Sequence, residues 1–225
     1  MLKRFGRPRS SFTAILLLCL LVIGTTGLAH LPRLITEDRV VEVKNPENSQ
    51  AFYGQLTGSK DIYEIHADAG FLLYVSLLVP DLPDISTDIS ARIIQVKSDT
   101  TEILSFLEGE NHHWENFYEP FAGDRYLEGP EFEKRVPAGL YRIEIFNPSL
   151  TGKYVLSVGK QEVFTMSEML HTIRTLPALK RDFFEKSPLT AYLNLMGLFM
   201  LIAAVLLAVP LYFAIRLVFR KMWQR

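Results

Sequence analysis

The side chains best suited to chemistry lie between Glu108 and Glu131, where two histidines precede a run of carboxylates and aromatic rings. Imidazole and carboxylate groups bind divalent cations, with histidine favouring transition metals and carboxylates favouring calcium. A metal site in the segment His112–Glu131 would use four residues: His112, His113, Asp124 and Glu128. One hypothesis is therefore a metal-dependent or metal-handling protein that binds calcium or a transition metal in this segment.

The same segment supports two other interpretations. Trp114, Tyr118 and Tyr126 could act as stacking platforms for a carbohydrate or a peptide, because such sites use exposed aromatic rings. Alternatively, the aromatic rings fill one end of the protein core while the acidic side chains stay in water. The segment is longer than an ordinary hairpin turn, and long loops are often functional, so we predict a structured loop here.

The rest of the sequence contains no recognisable catalytic motif. There is no Gly-X-Ser-X-Gly, no His-Glu-X-X-His, no phosphate-binding loop and no dinucleotide fingerprint. The only cysteine, Cys19, lies in an N-terminal apolar segment, so thiol catalysis outside the membrane is excluded. We therefore expect a protein that is not an enzyme and needs no cofactor, with the metal site above as the alternative.

Short apolar runs rich in Val, Ile, Phe and Tyr alternate with turn residues over the middle of the chain. About seven strands with this spacing are typical of an antiparallel β-sandwich, so the fold class is mainly β. The predicted strands are Ala51–Leu56, Asp61–His66, Phe71–Val79, Ala91–Val96, Glu102–Phe106, Leu140–Phe146 and Lys153–Val158. They fall within an expected domain of residues 30–159.

Two stretches of this domain resemble bacterial pre-peptidase C-terminal domains, over about residues 50–159. The opening is Gly54-Gln-Leu-Thr-Gly58, Asp61-Ile-Tyr63 and Ala69-Gly70, and the closing hairpin is Val136–Ile145 with Gly152–Val158. The resemblance implies a jelly-roll-like β-sandwich. In that family the domain is non-catalytic and is appended to secreted enzymes, which implies a binding or secretion role.

Apolar segments at both ends direct the chain to a membrane. Residues 1–29 combine four basic residues with an apolar stretch, as in a cleaved signal peptide or an uncleaved signal anchor. The uncharged run from Leu195 to Ile215 is long enough to cross a bilayer, within a predicted transmembrane helix of residues 189–215. Arg216, Arg220 and Lys221 follow in the basic tail, residues 216–225, which the positive-inside rule places in the cytoplasm.

Between the sandwich and the span, residues 160–188 have helical periodicity and form a predicted amphipathic neck. Thr165-Met-Ser-Glu168 is a capping box, and Met169, Leu170 and Ile173 recur at helical spacing. Pro177 is expected to end this helix, and a second short turn is expected over Ala178–Lys186. The neck could pack on its own domain, or it could contact the membrane or a partner.

The charge distribution bears on the partners. All 25 acidic residues lie between Glu37 and Glu185, and residues 30–215 contain 16 basic ones, so this part of the chain carries a net charge near −9. An acidic domain argues against a nucleic-acid partner, which requires a basic face. The expected domain, residues 30–159, contains no cysteine. This is more typical of a bacterial or archaeal surface protein than of an animal secreted domain.

The expected partners are the lipid bilayer and another membrane or surface protein or a glycan. The expected location is the plasma or inner membrane, with one or two spans.

Overall fold

A computed structural model describes residues 30–35, 40–98, 100–163 and 165–223. The predicted signal peptide or anchor, residues 1–29, lies outside the described residues. The described part of the chain forms eleven strands followed by a helical region, which confirms the mainly β fold class. The strands are β1 Leu31–Leu34, β2 Val40–Glu42, β3 Gln50–Thr57, β4 Asp61–Ala67, β5 Phe71–Pro80, β6 Ser90–Val96, β7 Thr101–Leu107, β8 Glu115–Glu119, β9 Asp124–Val136, β10 Gly139–Phe146 and β11 Thr151–Val158.

The strands form two sheets. The six-stranded sheet has the order β1-β3-β11-β5-β9-β8, and the five-stranded sheet has the order β2-β4-β10-β6-β7. The prediction of a wholly antiparallel sandwich is wrong at one edge of each sheet, where β1 runs parallel to β3 and β2 runs parallel to β4. The reason is the connectivity: the chain alternates between the sheets from β1 to β4, and such crossovers bring it back in the same direction.

The two sheets pack face to face around one apolar core. Phe52 of β3 meets Tyr63 of β4 edge to face, with ring centroids 5.2 Å apart. A buried polar chain runs through this core: the hydroxyls of Tyr63 and Tyr154 lie 2.8 Å apart, and Tyr154 donates to Asp61 at 2.7 Å. Pairing of these hydroxyls avoids the penalty of burying unsatisfied polar groups.

A second apolar cluster covers the outer face of the six-stranded sheet, and the predicted neck supplies its cover. The predicted neck, residues 160–188, contains α1 Met166–Ala178 and a π-helical turn Leu179–Phe183, and it is followed by a 3-10 helix Pro188–Tyr192. We call these three elements together the neck. Thr165 of the predicted capping box is the N-cap of α1, since its side chain accepts from the Glu168 backbone N–H. Glu168 also forms two hydrogen bonds with Arg33 of β1, which fixes the helix to the sheet.

Pro177 lies inside α1, so the prediction that it ends the helix is wrong. Proline cannot donate to the carbonyl four residues earlier, which is that of Ile173. The Tyr192 hydroxyl donates to this Ile173 carbonyl instead, at 3.1 Å. Because the freed acceptor is satisfied by the 3-10 helix, the chain continues in a helical path to Phe183.

The last helix, α2, runs from Leu195 to Met222. Among the described residues it is the one helix long and apolar enough to cross a membrane, and its 18-residue apolar window has a mean hydropathy of 2.7 and no buried residue. Residues 189–194, which were predicted to belong to the span, instead lie in the 3-10 helix and the turn before α2. Asn194 caps α2 by accepting from the Gly197 backbone N–H at 3.1 Å.

Candidate functional site

The predicted loop between Glu108 and Glu131 is largely a β-hairpin, so its interpretation as a long loop is wrong. Strands β8 and β9 pair in register from Glu115 opposite Glu128 to Glu119 opposite Asp124. The Glu119 carboxylate stabilises the hairpin tip, where it accepts from the backbone N–H groups of Phe121 and Ala122. The carboxylates and aromatic rings of this segment therefore lie on two paired strands, where successive side chains point to opposite faces of the sheet.

The structure places Trp114, Tyr118 and Tyr126 in three different environments. Tyr126 is 4% exposed, and its hydroxyl lies 2.9 Å from that of Tyr53 beneath the neck. Trp114 packs against the inner core and donates from its indole nitrogen to the Gly109 carbonyl. Only the Tyr118 ring among the three is mainly exposed, at 55%, with the Arg125 guanidinium 5.9 Å from its centroid. They do not form one stacking platform.

The four predicted metal ligands also have separate surroundings. His112 and His113 are exposed in the turn before β8, whereas Asp124 is fully buried. Glu128 is exposed on β9, and partial desolvation followed by the charges of neighbouring carboxylates raises the pKa of its side chain. Within the described ranges, no group of three or more His, Cys, Asp or Glu side chains is arranged to hold a metal ion.

Asp124 is engaged by two lysines of the neck. Lys180, in the π-helical turn, is 1% exposed, and its ammonium group lies 2.6 Å from one Asp124 carboxylate oxygen. Lys186 approaches the other oxygen at 3.2 Å. Lys180 also donates to the Ala122 carbonyl at 2.7 Å. We call Asp124, Lys180 and Lys186 the lysine clamp; it joins the neck to the tip of the β8–β9 hairpin.

The beginning of α2 is attached to the same hairpin tip. The Asn194 side-chain amide donates to the Ala122 carbonyl at 2.7 Å, and the Met196 backbone N–H donates to the Phe121 carbonyl at 3.2 Å. Gly197 follows in the first turn of α2, where an added Cβ would collide with the Tyr192 carbonyl. Glycine therefore allows the 3-10 helix and α2 to approach closely.

Nothing in the sequence indicates the lysine clamp. The short turn expected over Ala178–Lys186 contains three basic residues, Lys180, Arg181 and Lys186. Which of several neighbouring basic residues is buried cannot be predicted without knowing which side of the turn packs against the sandwich. Arg181, one position further on, is 64% exposed, whereas Lys180 is buried.

An apolar groove lies beside the clamp, between the outer face of the six-stranded sheet, α1 and the first turns of α2. It encloses about 140 Å³, and we call it the membrane-proximal groove. Its walls include Tyr53, Phe117, Tyr126, Ile173, Met196 and Phe199.

Two titratable groups at the groove are perturbed by burial. Burial lowers the pKa of His30 from 6.5 to about 4, so its ring is neutral at physiological pH. Burial also raises the pKa of the Glu119 carboxyl. Both shifts describe an environment that disfavours charge, in agreement with the apolar walls.

The residues predicted to anchor the chain all belong to α2. Leu195 and Ile215 are exposed along the helix, as expected for side chains that would face lipid. Arg216 and Arg220 lie exposed in its last turns, and Lys221 follows within the helix. Helical structure thus continues to Met222, into the predicted basic tail.

Comparison with family models finds no match, and a search of curated proteins also finds none. Solved structures with a partial likeness to this chain include a member of the family that the sequence resembles. The pre-peptidase C-terminal domain of a Bacillus anthracis collagenase is 10% identical, with a TM-score of 0.34 over 55% of this chain and 97% of that domain. A mitogen from Yersinia pseudotuberculosis is 15% identical, with a TM-score of 0.34 over 54% of this chain and 93% of that protein.

A β-glucosidase from Paenibacillus barengoltzii is 13% identical, with a TM-score of 0.25 over 58% of this chain. The match covers 13% of the glucosidase chain. All three matches concern the fold alone.

Proposed function

We propose that this chain is a membrane-anchored, non-enzymatic protein whose extracytoplasmic β-sandwich binds a partner protein in a fixed orientation relative to the bilayer. Helix α2 serves as the anchor. The basic residues Arg216 and Arg220 stay on the cytoplasmic side of the plasma or inner membrane. The role is that of an accessory subunit of a larger membrane assembly.

The lysine clamp is the observation that carries this proposal. Anchoring alone requires only a flexible linker between a span and a domain. Here the neck is joined to the sandwich by a buried ion pair, Lys180 with Asp124, and the first turn of α2 bonds to the hairpin tip through Met196. Breaking such a buried pair costs about 3–5 kcal/mol, so the docked neck is strongly specified. A specified orientation supports binding to a partner held in the same membrane.

The outer face of the five-stranded sheet is the surface that remains for a partner, because the neck covers the outer face of the other sheet. Its edge strand β7 exposes Ile103 and Phe106, at 61% and 49%. The Phe106 ring stacks on Phe146 of β10, with centroids 6.0 Å apart. Charged pairs such as Arg142 with Glu64 surround these apolar groups. An apolar patch with a polar rim at a sheet edge is typical of protein interaction sites.

The test uses the full chain, purified from its own membranes in mild detergent after brief cross-linking. We expect a stoichiometric protein partner, cross-linked to residues of β7 or β10. Phe106→Glu introduces a charge into the patch and should abolish the complex. Thr101→Glu introduces the same charge at an exposed position of the same strand and should leave the complex intact.

Two outcomes would contradict the proposal. One is a monodisperse monomer with no cross-linked partner from wild-type membranes. The other is equal loss of the complex in the Phe106→Glu and Thr101→Glu proteins, since this would mean that net charge, and not the patch, determines binding.

A further inference from the structure

We propose that the membrane-proximal groove takes the end of an acyl chain from a lipid of the outer leaflet. The inference rests on the proposed function in one respect, namely that α2 spans a bilayer. It assigns a ligand class to a cavity that is separate from the partner surface on β7 and β10.

Nearly all polar groups that line the groove are already paired. The hydroxyls of Tyr53 and Tyr126 satisfy each other at 2.9 Å, and His30 lies 2.5 Å from the Ser49 hydroxyl. Glu119 is occupied by the backbone N–H groups of the hairpin tip. Across the described residues, no buried side-chain nitrogen or oxygen lacks a hydrogen-bond partner. A polar ligand would lose its hydration here without compensation, so the groove selects an apolar one.

The position of the groove identifies the source of that apolar ligand. Met196, Phe199 and Met200 form one wall, and all three belong to the first two turns of α2. Phe199 is 43% exposed and lies within the apolar stretch Leu195–Arg220. With α2 in a bilayer, this wall continues into the hydrocarbon boundary, where acyl chains are the surrounding medium.

The size of the groove limits what enters. A cavity of about 150 Å³ lined by apolar side chains stays dry and accommodates a benzene-sized group. The membrane-proximal groove, at about 140 Å³, is similar. It therefore has room for a short terminal length of an acyl chain, while the headgroup remains outside.

Transfer of an acyl chain from the bilayer into the groove involves no desolvation cost, because lipid tails are as apolar as the groove walls. The gain comes from contacts that an empty cavity lacks. Occupancy should consequently depend on the presence of a flexible chain and little on the headgroup.

The experiment uses the full chain in nanodiscs of phosphatidylcholine that carries a diazirine at the terminal acyl carbon. After irradiation, adducts are located by mass spectrometry. We expect adducts on the exposed side of α2, from surrounding lipid. We also expect adducts on Tyr53, Leu78 or Val155, which line the groove on the sheet and which surrounding lipid cannot reach.

A matched pair of variants in α1 tests the site. Thr172 lines the groove, whereas Thr175 lies one turn further along the same helix and does not. Thr172→Trp should fill the groove and reduce the adducts on the sheet several-fold, and Thr175→Trp should leave them unchanged. Met169→Trp, at the partly exposed mouth, provides a second filling variant if Thr172→Trp prevents folding.

Adducts confined to α2 in the wild-type protein would overturn the inference while leaving the membrane anchor intact. If another part of the chain, such as residues 1–29, occupied the groove, adducts would again be confined to α2, and the inference would be overturned in the same way. Sheet adducts that persist in both filling variants would also overturn it. Absence of adducts on α2 itself would instead contradict the proposed anchor, so the two failures are distinguishable.

Discussion

Phe52 and Tyr53 are consecutive in β3, yet they belong to two separate apolar clusters on opposite sides of the six-stranded sheet. Phe52 meets Tyr63 in the core between the sheets, at 5.2 Å, and Tyr53 meets Phe183 of the neck, at 5.0 Å. Adjacent strand residues point to opposite faces, so this pair shows that the sheet is covered on both sides. The neck is therefore a third layer of the fold.

Asp124→Asn should destabilise the docked neck. The substitution leaves the Lys180 ammonium buried without its counter-charge, and the expected loss is about 3–5 kcal/mol in the free energy of unfolding. The measurement is urea denaturation of the full chain in detergent, followed by tryptophan fluorescence. Asp182→Asn removes the exposed partner of Arg181 and should leave the denaturation midpoint unchanged. Equal midpoints for the two variants would contradict burial of the clamp.

Gly197→Ala should loosen the junction between the 3-10 helix and α2. The added methyl group collides with the Tyr192 carbonyl, and overpacking of this kind costs about 1–3 kcal/mol. We expect trypsin to cleave after the buried Lys180 faster, by about 5–150-fold, because the neck opens more often. Ala204→Val adds atoms at an exposed position of α2 and should not change the cleavage rate. Unchanged cleavage in Gly197→Ala would contradict the close approach.

Acidification should destabilise the protein through His30. In the folded state its pKa is about 4, so the ring stays neutral, whereas the unfolded chain binds a proton near pH 6.5. The unfolded state thus binds more protons between these values, and stability falls as the pH drops, by about 2–3 kcal/mol at pH 4.5. His30→Gln should remove this part of the pH dependence in urea denaturation, and the exposed His113→Gln should retain it. A slope unchanged by His30→Gln would be inconsistent with its burial.

Gly129→Ala should displace the Trp114 ring. A Cβ at position 129 would lie 2.5 Å from the indole, against the backbone carbonyl of Leu77 on the other side. In a Trp223→Phe background, Trp114 is the only tryptophan, and its emission should shift to longer wavelength as the ring moves towards water. Gly58→Ala strains the backbone at a φ of 87° but places nothing within 4 Å of the added Cβ, so it serves as a control for a destabilising glycine substitution that does not contact Trp114. Identical emission from both variants would disprove the packing of Trp114 on β9.

Much of the sandwich could be predicted from the sequence, since all seven predicted strands are present. Periodicity predicts most of them because they have a buried side, as Tyr141, Ile143 and Ile145 of β10 illustrate, whereas the edge strand β7 is largely exposed. The parallel edges could not be predicted, because alternation within a strand does not indicate the direction of its neighbour.

The third layer did have a signal in the sequence. Strand β5 is apolar from Phe71 to Val79 with hardly any alternation, a pattern typical of strands buried on both faces.

The candidate site was harder to predict than the sandwich, because it depends on contacts between residues that are distant in the sequence. The pairing of Asp124 with Lys180 spans 56 positions, and the tolerance of Pro177 depends on a hydroxyl from Tyr192.

The bond between Met196 and the hairpin tip has a mechanical consequence. A flexible linker of n residues gives a tethered domain a reach of about 5–6 Å × √n. Here the Met196 bond and the Lys180–Asp124 pair join the sandwich directly to the start of α2, with no flexible linker between them. With α2 in a bilayer, this direct attachment would hold the sandwich at a single height above the lipid.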